Sequence, residues 1–214
     1  MCEGNRVPVW LALALLFAGG CAQVGSPDGG AKDDAPPVVV SASPAFGTTE
    51  WSGTVLKLTF DEFVQVQDAR NQVLVSPPLP ESPRVLVKGR SIAVDLRGGL
   101  VPDRTYVVQF GNAIRDLRES NVAAGLQHVF ATGSRLDSGR VAARVVEAWT
   151  GEPGVGARLL LYRDSLPMGI LDPALPDSLR PLPDYVGLVG DSGSVEIGFL
   201  PDGAFSMVAL SDAN

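Results

Sequence analysis

Val55-Leu56-Lys57-Leu58-Thr59-Phe60 divides its side chains between two faces. In an extended chain successive side chains point to opposite sides, so Val55, Lys57 and Thr59 share one face and Leu56, Leu58 and Phe60 the other. A period of two with one strongly apolar face predicts a half-buried β-strand over Thr54 to Phe60, with Leu58 turned into the core. The same short, β-branched and aromatic character recurs at Val38 to Ala42, Val73 to Ser76, Arg84 to Lys88, Ser91 to Asp95, Thr105 to Phe110 and Gln127 to Thr132. Pro, Gly and Asn punctuate the gaps between them.

Short strands at this spacing, with no convincing amphipathic helix among them, predict a β-sandwich of immunoglobulin type. Particular stretches point further. Pro36-Pro37-Val38-Val39-Val40-Ser41-Ala42-Ser43-Pro44, Phe60-Asp61-Glu62-Phe63-Val64, Leu100-Val101-Pro102-Asp103-Arg104-Thr105-Tyr106, Phe110-Gly111-Asn112-Ala113-Ile114 and Phe130-Ala131-Thr132-Gly133 follow one another in order. In order and spacing they resemble the bacterial Ig-like domain named after the SbsA surface-layer protein. The resemblance covers residues 36–134 and implies an extracytoplasmic, non-catalytic module. It implies no particular ligand.

After a junction at Ser134 to Ser138 the strand pattern restarts. Arg140 to Ala148, Ala157 to Tyr162, Tyr185 to Val189, Ser194 to Phe199 and Ala204 to Leu210 read as strands. The prolines 167, 173, 176, 181 and 183 mark a long loop, because proline removes a ladder donor. The run from Gly193 to Ala209, with its Leu200-Pro201-Asp202-Gly203 turn, resembles the carboxypeptidase regulatory-like, or transthyretin-like, sandwich. That resemblance covers residues 138–214 and implies a folding or spacer module without a catalytic role. The chain is therefore expected to be all-β, an Ig-like Greek-key sandwich followed by a second β-sandwich. The second is expected to be incomplete, with an exposed edge and further chain beyond Asn214.

At the other end stand Arg6, the apolar run Val7 to Ala18, and Gly19-Gly20 directly before Cys21. A charged head, an apolar segment too short to span a bilayer and small residues at a cleavage point predict an export signal over residues 1–20. Leu15-Leu16-Phe17-Ala18-Gly19-Gly20-Cys21 resembles a bacterial lipoprotein signal. The resemblance implies that Cys21 is acylated, with palmitate-type chains, and becomes the mature N-terminus held in a membrane. The alternative is a cytoplasmic start with a buried helix. Residues 21–35 are rich in Gly, Pro and Asp and predict a flexible tether. Ala22 after the cysteine implies outer-membrane sorting.

Composition narrows the partners. With 17 basic and 24 acidic residues the net charge is −7, which opposes binding to nucleic acid, since a phosphate backbone demands clustered Lys and Arg. Cys2 and Cys21 are the two cysteines and His128 the one histidine, so neither a disulfide framework nor a zinc cluster is available to the mature chain. No cofactor or metal is expected, and a protein or glycan partner is left open.

Individual polar residues read as structural. Asp61 and Glu62 are adjacent, so on a strand they diverge and cannot act as a paired acid and base; a turn role is expected. Calcium is the alternative, with Asp33, Asp34, Asp61, Glu62 and Asp116 as oxygen donors meeting at one end of a sandwich, although no spacing resembles a calcium loop. His128 is expected on the surface of the last strand, and no Gly-x-Ser-x-Gly elbow accompanies it. Asn112 is expected to serve a turn. Gly151 to Gly156 lacks the lysine and helix of a phosphate loop and predicts a hairpin connection. The expected function is that of a non-catalytic outer-membrane or cell-surface lipoprotein working as a structural or binding module. The alternatives are the spacer region of a larger exported enzyme or substrate-capture lipoprotein, and a periplasmic envelope-assembly factor.

Overall fold

The structure is a computed structural model that describes residues 32–97, 99–170, 172, 174, 176 and 181–211. The export signal, Cys21 and most of the tether lie outside the described residues. In chain order the first unit contributes β1 (Val39–Ser43), β2 (Val55–Phe60), β3 (Val64–Val66), the single helical turn α1 (Ala69–Gln72), β4 (Leu74–Ser76), β5 (Arg84–Lys88), β6 (Ser91–Asp95), β7 (Thr105–Gln109), β8 (Ile114–Asp116) and β9 (Gln127–Ala131).

These strands form one antiparallel sheet in the order β1-β2-β6-β5 and a second in the order β4-β7-β9, with a small β3-β8 ribbon beside them. That is the strand arrangement of a constant-type immunoglobulin sandwich. The alternation of β2 holds: Leu56, Leu58 and Phe60 are buried, and Leu56 and Leu58 lie opposite Val94 and Ile92 of β6. Opposed residues share a face, so these side chains meet Val75, Tyr106, Val108 and Phe130 of the other sheet in one core. β3 and β8 were not expected from sequence, being too short for a period to emerge.

After β1 the chain crosses to the second sheet. Thr48 pairs in parallel with Phe130, Gly47 N donates to Val129 O at 2.8 Å, and Trp51 N donates to Ala131 O at 3.0 Å. The segment covers the edge of β9, which would otherwise present unpaired backbone groups.

The second unit consists of β10 (Gly139–Arg144), β11 (Arg158–Arg163), β12 (Tyr185–Leu188), β13 (Ser194–Leu200) and β14 (Phe205–Leu210). β10 pairs with β13, and β12-β11-β14 form the facing sheet. Leu159, Leu161, Tyr185, Val195, Ile197 and Leu200 fill the space between them. Gly187 of β12 makes this approach possible, since a Cβ there would lie 2.7 Å from Ile197 Cγ1.

The expected hairpin through Gly151 to Gly156 is corrected by this topology. The loop folds back on itself through a Val146–Pro153 bridge, but β10 and β11 belong to different sheets, so it is a crossover. The turns before β13 and before β14 likewise join strands of different sheets. Local glycine chemistry marks a turn; it does not choose the ladder partner of the strands it connects.

Candidate functional site

The described residues from Asp34 onward form one compact unit, so both sandwiches share a seam. In β4, Val75 points into the first core while Leu74 and Ser76 point the other way. Leu74 packs on the cluster of Leu160, Tyr162, Ile170 and Val186. Ser76 Oγ accepts a 2.9 Å hydrogen bond from Val186 N. In β7, Thr105 Oγ1 accepts from Asp137 N at 2.9 Å, and Gln109 Nε2 reaches Val186 O at 3.5 Å. The second unit thus covers the outer face of the β4-β7-β9 sheet, and β7 and β9 are buried on both sides.

At one end the seam opens into a cleft of about 480 Å³. Gln72, Gln109, Gly111, Asn112, Leu126 and Gln127 line it from the first unit, and Leu188, Asp191, Glu196 and Phe199 from the second. Gln72 Oε1 accepts from Asn112 N at 3.1 Å and braces the wall. Gly111 has φ +51°, and a Cβ there would run into the Gln72 carboxamide and come within 3.0 Å of Leu188 Cδ2. Glu196 is held by Arg140 at 3.3 Å. Asn112 therefore does sit in a turn, as expected, and it also lines a cleft that nothing local announces.

Phe199 reaches the cleft by a break in β13. Gly139 pairs with Leu200 but Arg140 pairs with Gly198, which leaves Phe199 as the extra residue of a β-bulge. Its φ is +59°, a region that bulky residues rarely occupy. Val195, Ile197 and Leu200 face the core while Phe199 is only half-buried and sits edge-to-face with Phe46 at 6.3 Å. Bulges commonly re-aim a side chain in this way.

His128 is not on the surface: it is only 4% exposed. It lies opposite Val108 in the ladder and shares the inward parity of Phe130, a signal that was present in the sequence. Phe46 packs edge-to-face on its ring at 5.8 Å, and Nε2 has no hydrogen-bond partner. Burial pushes its pKa below the usual value of 6.5, against a smaller opposing effect from a hydrogen bond to the Pro44 backbone.

The acidic residues are separated and engaged. Asp61 Oδ1 accepts from Val38 N at 2.8 Å and ties the start of β1 to the end of β2, a turn role as expected. Asp116, at the end of β8, is buried. Its Oδ1 accepts from the backbone N–H groups of Arg118, Glu119 and Ser120 at 2.8, 2.6 and 3.0 Å, and its Oδ2 from that of Asn121 at 2.6 Å. Removal from water raises the carboxyl pKa, but the four amides outweigh it and hold the group below its usual range. Among the described residues no group of three or more His, Cys, Asp or Glu side chains is placed to hold a metal ion. Among those residues, too, no helix is long and apolar enough to cross a membrane.

Residues 33–132 match the model of the bacterial Ig-like domain family, the same span that builds the first sandwich. No curated protein resembles the chain closely enough to count as a match. Among solved structures, the N-terminal part of the bacterial S-layer protein SbsC is similar at 18% identity, with a TM-score of 0.31. The alignment covers 80% of this chain and 37% of that one, so the chain spans little more than a third of its length.

Proposed function

We propose that this chain is a non-catalytic module of the bacterial cell surface, built to bind or to support and held to the outer membrane by a lipid on Cys21. The observation that supports this reading most directly is the bacterial Ig-like domain at residues 33–132. Two of its carboxylates are committed to architecture, Asp61 to the β1 start and Asp116 to a loop of backbone amides. The cleft at the seam is the one feature described above that offers polar groups not consumed in this way. The anchor is supported by the apolar run from Val7 and the small residues before Cys21. A second unit of transthyretin-like type would then act as a spacer that also completes the cleft.

Protease treatment of intact cells, with lysed cells as control, tests the display. Degradation on intact cells is expected; protection until lysis would move the protein to the periplasm and favour an assembly role. Cys21→Ser tests the anchor. The variant should lose its acyl chains and leave the membrane fraction, since on this reading the lipid alone is the anchor. Retention with unchanged acylation would overturn the assignment.

A further inference from the structure

We infer that the cleft at the seam binds a neutral oligosaccharide, with the ring of Phe199 as the apolar platform and the carboxamides of Asn112 and Gln127 as the hydroxyl-reading groups. The inference rests on the reading of the chain as a binding module and names the ligand class of its site.

The chemistry of the walls selects the ligand. A carboxamide offers an acceptor oxygen and two donor hydrogens side by side, which suits vicinal hydroxyls that both give and receive hydrogen bonds. The side chain of Gln127 is exposed and that of Asn112 half-buried, and neither is engaged by another protein group in the way that Gln72 and Gln109 are. No lysine or arginine stands among the lining residues, while Asp191 and Glu196 do. An anionic ligand would meet Asp191 and a Glu196 carboxylate that already takes up the one nearby guanidinium, that of Arg140, and is disfavoured. A purely apolar ligand would strand the amides without partners, which costs more than it returns. An uncharged polyhydroxylated chain satisfies both constraints, and about 480 Å³ accommodates a short oligosaccharide.

The placement of Phe199 supplies the independent argument. A bulky residue at φ +59° on a bulge stores backbone strain. Glycine would relieve that strain at no steric cost. What the phenyl ring does instead is leave the core parity of β13 and face the cleft beside Phe46. A flat apolar surface next to amide groups matches the C–H face and hydroxyl rim of a pyranose.

The test uses the whole 214-residue chain and three neutral probes, maltotriose, cellotriose and tri-N-acetylchitotriose, titrated by calorimetry up to about 10 mM, the range in which millimolar affinities register. Saturable binding of at least one probe is expected. Phe199→Gly should weaken it at least ten-fold while the melting temperature holds or rises, because the strain is gone and the core contacts of β13 remain. A merely structural ring would give the opposite pattern, unchanged binding with a lowered melting temperature. Gln127→Ala, at an exposed position, should weaken binding without touching stability and stands in if the first variant fails to fold. The inference is overturned if none of the three probes binds, if binding survives both substitutions, or if a uronic-acid oligosaccharide outcompetes the neutral ones. Because the titration uses purified protein, its failure is distinct from a failure of surface display on cells.

Discussion

The backbone N–H of Val186 donates to the hydroxyl of Ser76 at 2.9 Å, joining β12 to β4 across 110 positions of sequence. Ser76 is 1% exposed, so the bond lies out of water. It fastens the second unit to the outer face of the first beside the packing of Leu74 on the apolar cluster to which Val186 belongs. Ser76→Ala would leave a buried amide without a partner, at a cost of about 1–3 kcal/mol. Denaturant unfolding should show the midpoint falling, with the residues of β11 and β12 losing hydrogen-exchange protection first. Unchanged protection at Val186 would show that the bond does not hold the seam.

Tyr106 closes a similar fastening within the first unit. Its hydroxyl accepts from Val101 N at 2.8 Å while its ring stacks on Phe130 at 5.6 Å in the core. A tyrosine at the start of this strand, bonded to backbone just upstream, is the tyrosine corner of immunoglobulin-like sandwiches. Tyr106→Phe keeps the ring and removes the bond. The expected loss is about 1 kcal/mol in thermal unfolding, and a variant as stable as the parent would show that solvent replaces the hydroxyl.

Asp116 makes stability depend on acid. Its folded pKa lies below the ordinary value of 3.8. The stabilisation is therefore present above that value and is lost as the pH falls through the lower, folded pKa. Unfolding followed below about pH 4 should show a decline that Asp116→Asn removes, the variant being less stable at neutral pH from the start. An acid limb of equal steepness in the variant would assign the loss to other carboxylates.

His128 acts in a different window. Burial lowers its pKa from 6.5, so the folded state favours the neutral ring and the unfolded chain takes up the proton first. Stability is full above about pH 6.5 and declines as the pH falls from there toward the folded pKa. His128→Gln should flatten the melting temperature between neutral and mildly acidic pH. The His128 decline begins at the higher pH, and comparing the two variants in one pH series assigns each limb to its residue.

Much of the first sandwich was legible in its local pattern. Arg84–Lys88 and Ser91–Asp95 have the ends read from sequence, and β2 buries the face that its alternation predicted. The cleft was not legible. Asn112 and Gln127 look like ordinary turn and strand residues until the second unit arrives opposite them, and Phe199 looks like one more inward position of β13. His128 marks the boundary between the two cases. Its parity with Phe130 is readable in the sequence, whereas the polarity of an imidazole points toward the surface, and in the fold parity wins.

The sequence by itself determined the all-β character, the inward faces of strands such as β2, and the residue types available to a site. These follow from the period of two that covalent geometry imposes on any extended chain. Tertiary structure decided which turns are crossovers, which face of the β4-β7-β9 sheet is covered, and that Phe199 is the residue left over between Gly198 and Leu200. Each of these depends on pairing or packing between segments far apart in the chain, where no local pattern carries the register.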